Sequence, residues 1–504
     1  MGTNSLLKTT FYLLARKNFF KKGRKVSLSF LCKYANISNE FISEELKPLM
    51  NKNVLCITHQ GIYVVRDSLV FAILDFTEDD INDAYKKGAL AVVTNRRIEG
   101  KPCIVVDNPL MVYAKMTNYY RTLSSSDITA IVGSIGKTTT KLMCGAVFSN
   151  CERTLYEKGN LNNIRRVLHV CQHLPQNSKQ IICEISEADY GTCEAASLAL
   201  NPKVAIITAI DKSHMEGYGS EEEIKRQICS ISKYMSEDGV VIVNKDEFSS
   251  FNYLYGKKII TISQKEKADY YSQNVVVDER GLHFEVVDSE RGECTMVNLY
   301  NVYGLHNVGM ALQVYAAALY MGFPTIKIVK GFERFKPLGI RQNAFRTLNN
   351  RVVYADCFNA VAKSIESAML AARNIPIKSG CKKIAVLADV EEAGLISEET
   401  HKQIVEIVNS SDFRTLLAYG PKLNKALDEI ELRDGITLIR CQNKNQIVGN
   451  LRHIAKSGDL ILFKSSHSWR LDKCIKRMWP ISYYRRMVNE YLSSVLFRIG
   501  IELR

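Results

Sequence analysis

The chain has 504 residues, of which 46% are hydrophobic and 24% charged, with only ten prolines. At about 150 residues per domain the length predicts three domains or four, and the composition excludes a disordered chain and long proline-rich linkers. The formal net charge of +14 suits nucleic acid, an anionic membrane face or a phosphorylated substrate, and does not choose among them.

Residues 1–126 read as a small mixed α+β domain. It opens with a basic stretch (Lys17, Lys21, Lys22, Arg24, Lys25). This is not the pattern of a signal peptide, because the apolar piece 11–15 is short and the basic residues follow it. Nor is it a myristoylation site, since Leu6 stands where serine or threonine is needed. No apolar run approaches the roughly 18 residues of a membrane span, so a soluble, cytoplasmic protein is expected. Residues 26–66 admit a winged-helix reading: helices over 28–35 and 39–51, then strands near 56–57 and 62–65, with basic residues to touch DNA phosphates. Pro48 interrupts the second helix, and nucleic acid is not the expected partner. Strands follow at 89–94 and 104–106, and Ser124-Ser125-Ser126 reads as a hinge.

Residues 127–342 alternate strands (128–132, 181–185, 204–208, 240–243) with helical stretches, the pattern of a doubly wound parallel sheet. Residues 343–504 alternate again, with strands at 352–355, 384–387, 415–418 and 460–463, which predicts a Rossmann-like α/β domain. The fold class is therefore α/β, in three domains. The 14 cysteines are scattered without any C-x-x-C, so buried, reduced thiols are expected and no zinc ribbon is written here.

The strongest chemistry lies at Ile131-Val132-Gly133-Ser134-Ile135-Gly136-Lys137-Thr138-Thr139-Thr140, after an apolar strand and before a helical stretch at 141–149. Glycines let backbone N–H groups close on phosphates, and the helix N-terminus adds its positive end. Gly133, Ser134, Gly136 and Thr139 would line the phosphates, Lys137 would reach the β/γ-phosphates, and the Thr138 hydroxyl would ligate Mg²⁺. Ile131 stands where the first glycine of the usual phosphate-loop pattern belongs, and an ordinary strand–helix turn is the competing reading.

Gly-x-x-Gly-Lys-Thr-Thr after an apolar strand resembles the Mur ligase family, the ATP-dependent amide ligases of peptidoglycan synthesis. Further stretches fall in that family's order. Gly159-Asn160-Leu161-Asn162-Asn163 and His214-Met215-Glu216-Gly217-Tyr218-Gly219-Ser220 are similar to motifs of the branch that adds D-alanyl-D-alanine. Glu184-Ile185-Ser186, Gly304-Leu305-His306-Asn307, Gly339-Ile340-Arg341 and Asp356-Cys357-Phe358-Asn359-Ala360 resemble the family's metal, nucleotide and hinge motifs. So do Asp389 with Glu392-Ala393-Gly394, and Gly458-Asp459 followed by Lys464-Ser465-Ser466. The likeness runs from about residue 67 to 473.

The resemblance implies transfer of the γ-phosphoryl of ATP to a carboxylate, then attack by an amine on the acyl phosphate, with ATP and Mg²⁺ as cofactors. Lys137, Glu184, His214 and Arg341 would be catalytic, with Thr138, Glu184 and His214 holding metal. Asn307, Arg341, Asp356 and Asn359 would frame the nucleotide, and Asn160, Asn162, Asn163, Lys464 and Ser466 would meet the substrates. The partners implied are an anionic, nucleotide-linked or other small-molecule acceptor and an amino acid or dipeptide; the sequence does not give the oligomeric state, with a monomer favoured.

Departures accompany the likeness. The family usually carries a carbamylated lysine about fourteen residues beyond the histidine; Ile228 stands there, with Lys225 and Arg226 the nearest cations. A second metal would then lack a ligand unless Glu187, Asp189 or Asp211 supplied an oxygen. After Asn163 the family's E-I-G-V-P is replaced by Ile164-Arg165-Arg166-Val167-Leu168, and Met310 replaces an asparagine. The stretch 67–83 lacks any glycine, so binding of a uridine-nucleotide sugar in the family's usual manner is not expected. Two readings stay open beside an active peptidoglycan ligase. One is a ligase-like protein that binds nucleotide without turnover; the other is a paralogue acting on another surface polymer or metabolite.

Overall fold

The computed structural model describes residues 26–483, apart from 60, 74–75, 157–161, 173, 175–177, 211–219, 249–250, 338, 359 and 392–396. His214, Asn160, Asn359, Asp211 and Glu392 therefore lie outside the described residues.

The chain enters through strand β1 (Val26–Ser27), which pairs antiparallel with β2 (Asn53–Val54). Ser27 caps the helix Leu28–Tyr34 by accepting from the Phe30 N–H at 3.2 Å. The helix expected over 39–51 is not formed. Two 3₁₀ turns, Asn39–Phe41 and Lys47–Leu49, take its place, with Pro48 inside the second. Ile42 bridges to Ile104, and Ser43 exchanges 3.0 Å bonds with the Cys103 backbone, so donors and acceptors that a helix needs are spent on a sheet edge. Residues 62–65 form no strand either; Gly61–Tyr63 is a 3₁₀ turn. These differences overturn the winged helix. Instead β3 (Cys56–Thr58), β4 (Ser68–Phe71), β5 (Ala91–Thr94) and β6 (Cys103–Val105) form a parallel sheet in chain order.

The serine triplet is a pinned joint and not a hinge. Arg121, at the end of the helix Pro109–Thr122, donates to the carbonyls of Leu200 (2.9 Å), Ser124 (2.8 Å) and Ser126 (2.8 Å). Ser126 Oγ donates to the Ser178 carbonyl at 2.7 Å, and both Ser124 and Ser126 are buried.

The central sheet has nine strands: β7 (Asp127–Val132), β8 (Thr154–Tyr156), β9 (Gln180–Glu184), β10 (Val204–Ile207), β11 (Val240–Asn244), β12 (Lys258–Ser263), β13 (Tyr270–Asp278), β14 (Gly281–Asp288) and β15 (Glu293–Tyr300). Their order is β8-β9-β7-β10-β11-β12-β13-β14-β15. From β8 to β13 all neighbours are parallel, and β7 lies between β9 on one side and β10 on the other. The carboxyl end of β7 thus opens on the crevice where strand order reverses, the usual ligand position in such sheets. The antiparallel edge β13–β15 was not foreseen. Its outer strand pattern is half exposed, so it lacks the continuous apolar runs that mark the parallel strands.

The third sheet comprises β16 (Asn343–Arg346), β17 (Val352–Asp356), β18 (Lys383–Ala388), β19 (Thr415–Tyr419), β20 (Thr437–Cys441) and β21 (Leu460–Lys464), ordered β16-β17-β21-β18-β19-β20. Only the β16–β17 pair is antiparallel. One apolar cluster runs from Leu28, Phe71 and Tyr113 to Ile181, Ile207 and Phe248, so the first unit and one face of the central sheet share a core. The other face is covered by the helices Lys137–Ser149 and His306–Tyr320, while the third sheet has its own cores. All cysteines are free, and all but Cys151, Cys294 and Cys381 are buried.

Candidate phosphate and ligase site

The loop that leaves β7 is shaped by its glycines. Gly133 has φ +129°, and a Cβ there would stand 2.3 Å from Thr208 Oγ1 beyond the end of β10. Only glycine lets the loop lie this close to its neighbour. The Ser134 N–H then donates to the Ala209 carbonyl at 2.7 Å, and Gly136, at φ +92°, turns the chain into the helix Lys137–Ser149. The helix begins at Lys137, four residues earlier than the sequence pattern suggested, so Lys137, Thr138 and Thr139 form its first turn. Met310, in the helix His306–Tyr320, packs its sulfur 3.0 Å from where a Gly136 Cβ would sit.

Charges converge on this turn. Lys137 Nζ donates to the Gly133 carbonyl and to both oxygens of Glu187, at 2.8 and 2.7 Å. Glu184, at the end of β9, accepts from the Thr138 hydroxyl and from Asn162 Nδ2, each at 2.9 Å, on one oxygen. Its other oxygen pairs with Lys141 Nζ at 2.7 Å, and both side chains are 2% exposed or less. Burial works to raise the Glu184 carboxyl, but the charges of Lys141, Arg341 and Lys137 prevail, and its pKa is lowered. Arg341 arrives from the segment ahead of β16: its Nη1 donates to Thr138 Oγ1 at 2.9 Å, and its guanidinium lies 3.3 Å from the centre of the Phe358 ring. Glu184 and Thr138, 46 residues apart, therefore meet, and Arg341 joins them from the far side of the chain.

The second group of expected residues makes its contacts within the chain. Asp356 and Lys464, at the adjacent ends of β17 and β21, form a buried pair at 2.8 Å. Asn307 donates to the Gly304 carbonyl at 2.9 Å within the first turn of its helix. His306 meets Gln342 at 2.9 Å; burial lowers its pKa, so the ring is neutral near pH 7. Asn163 caps the helix Ile164–Cys171 by accepting from the Arg166 N–H at 3.0 Å. Ser466 is buried ahead of the 3₁₀ turn His467–Trp469 and makes no capping bond.

Ile228 is fully buried in the core shared with the first unit, on the inward face of the helix Glu221–Cys229. Lys225 on the same helix pairs with Glu221 at 2.8 Å, and that bond raises its pKa. An ammonium so held is a poor carbamylation target, because the reaction needs the neutral amine. Asp189 is exposed, and Glu187 is given to Lys137. Among the described residues there is no group of three or more His, Cys, Asp or Glu placed to hold a metal. Thr138 Oγ1 and Glu184 Oε1 nonetheless present the hard oxygen donors that Mg²⁺ prefers, beside a loop that would bring phosphate oxygens. Lys141 was not anticipated, although its i+4 spacing from Lys137 puts both on one helix face, a signal readable in the sequence.

Comparison with known proteins agrees with this layout. Residues 131–318 match the Mur ligase middle domain, and residues 341–467 match the Mur ligase glutamate ligase domain, together more than half of the chain. The UDP-N-acetylmuramoyl-tripeptide–D-alanyl-D-alanine ligase of Bacillus subtilis is 28% identical over 402 residues, covering 79% of this chain and 86% of that protein. A crystal structure of MurF from Acinetobacter baumannii superposes with a TM-score of 0.72 at 20% identity, covering 90% of this chain and 99% of that one. MurF of Thermotoga maritima in complex with ADP gives 0.68 at 18% identity, covering 86% and 98%.

Proposed function

Since the chain belongs to the Mur ligase family, we propose that it is an ATP-dependent carbon–nitrogen ligase. It would phosphorylate a carboxylate of a nucleotide-linked peptide acceptor and pass that acyl group to the amine of D-alanyl-D-alanine. The relatives' name supports the substrate class. The observation that carries the reading is the meeting of Thr138, Glu184 and Arg341 at the carboxyl end of β7, because it closes the phosphate loop with a cation from the third unit.

The residues divide the work as follows. The backbone of Gly133 to Gly136 and the Lys137 ammonium hold the β- and γ-phosphates. Arg341, held over the Phe358 ring, places a guanidinium fork where charge spreads during phosphoryl transfer. Thr138 and Glu184 would hold Mg²⁺, which when bound neutralises phosphate charge. Lys141 fixes the Glu184 carboxylate and keeps it ionised. The acceptor would enter where the first unit meets the central sheet. There the Tyr63 ring stacks on His169 at 4.8 Å, and Arg166 reaches the Tyr63 hydroxyl at 3.4 Å. Arg165 and Arg166 stand in the stretch that replaces the family's E-I-G-V-P and suit an anionic acceptor.

The test is phosphate release from ATP by the purified protein with a uridine-diphosphate muramyl tripeptide and D-alanyl-D-alanine, each omitted in turn. Release should need both, and Lys137→Ala should lower kcat/KM by about a hundredfold or more, on the order of 3 kcal/mol for one preorganised donor. Release that ignores the dipeptide would refute the ligase reading.

A further inference from the structure

Glu187 is a carboxylate at the heart of the phosphate loop, and neither phosphoryl transfer nor amide formation calls on it. It follows the end of β9 by three residues, its side chain is 2% exposed, and it grips Lys137 Nζ with both oxygens. An ammonium has three donors. The Gly133 carbonyl and the two Glu187 oxygens account for all three. A phosphate oxygen can reach Lys137 only by displacing one of them.

We propose that Glu187 is a resident competitor for the triphosphate. It holds Lys137 while the loop is empty, yields it as ATP enters, and retakes it as ADP leaves. The inference rests on the loop being a nucleotide site. Two further observations support it. Glu187 lies close enough to Cys193 for its charge to help raise that fully buried thiol's pKa, after burial itself, with Cys229 also nearby. A carboxylate set in such a corner lies near the incoming phosphates, where like charge repels. The adjacent lysine cannot take over from Lys137, because Lys141 is 1% exposed and is closed off by Glu184.

The sign of one measurement separates this role from a structural one. If Glu187 merely neutralised a half-buried lysine, removing its charge would loosen the loop and weaken nucleotide binding. A competitor predicts tighter binding. Equilibrium binding of ADP and of ATP to the full chain, in the presence of Mg²⁺, should be at least tenfold tighter for Glu187→Gln, equivalent to about 1.4 kcal/mol. Glu187→Ala should tighten binding too, and ADP should dissociate more slowly from both variants in stopped-flow displacement. Circular dichroism and the urea midpoint identify the folded fraction, and affinities are taken below the onset of unfolding. Equal or weaker binding by both folded variants, with the parent binding normally, overturns the role of Glu187 alone. Absence of nucleotide binding by parent and variants alike overturns the nucleotide reading together with it.

Discussion

The four-stranded sheet of the first unit and the nine-stranded central sheet both run parallel strands, yet they are stabilised in different ways. Among the described residues, no buried Lys, Arg, Asp or Glu precedes Lys141. The first unit is an apolar construction, typified by Phe71 stacked on Tyr113 at 4.4 Å. The central sheet has an apolar core of equal quality, but the end of β7 gathers Lys137, Lys141, Glu184, Glu187 and Arg341 within one mesh of ion pairs and hydrogen bonds. Parallel strands thus end in apolar packing in one place and in a mesh of charges in the other. The difference lies in side chains placed at strand ends and not in the fold.

Substitutions that probe each kind of stabilisation should separate the two regions. The largest loss is expected for Phe71→Ala, where a fully buried ring leaves a cavity: about 4 kcal/mol in urea unfolding, with ADP affinity of the folded fraction retained. Lys141→Met should cost about 3 kcal/mol by stranding the Glu184 charge. Adding Glu184→Gln should recover most of that stability while leaving ATP turnover abolished. Recovery of activity in the double variant would dissolve the distinction drawn between the regions. Arg341→Lys keeps the charge but loses the guanidinium contact over the Phe358 ring and the fixed bond to Thr138. A fall of about 30-fold in kcat/KM, near 2 kcal/mol, is expected, with the urea midpoint nearly unchanged.

The smallest effect is one of pH. Glu184 has a folded-state pKa below its ordinary value of 4.5, so its contribution to stability is present above that value and is lost as pH falls through the lowered one. The urea midpoint should therefore decline across the acidic range in the parent and more shallowly in Lys141→Met/Glu184→Gln. Equal slopes would show that the Glu184 charge does not contribute as described.

Much of this was legible in the sequence where one physical signal dominated. The parallel strands were found because both faces are buried, which leaves unbroken apolar runs such as 204–207 and 460–463. The phosphate loop was legible because its glycines and lysine are adjacent in the chain. What was not legible depended on partners far away. Residues 39–51 carry helical spacing, but Ser43 and Ile42 are claimed by the edge strand around Cys103 and Ile104. Ser124 to Ser126 look like a flexible tract, but Arg121 occupies their carbonyls. The cap that Asn163 gives the helix Ile164–Cys171 was hidden behind its likeness to a substrate motif. Glu187 was visible as an acidic residue near the metal ligands, but its grip on Lys137 depends on how two strand ends are juxtaposed, which spacing does not report.

The Arg121 joint bears on how the molecule can move. With three carbonyls clasped by one guanidinium and a common apolar interior on either side, the first unit and the central sheet form a single lever arm. The third sheet meets that arm through polar bridges, Arg341 to Thr138, His306 to Gln342 and Lys363 to Glu247, and through the Tyr303 ring, which is buried in one of the third sheet's apolar cores. A swing of the third sheet about the segment just before β16, which carries Arg341, would withdraw that cation from the phosphate loop.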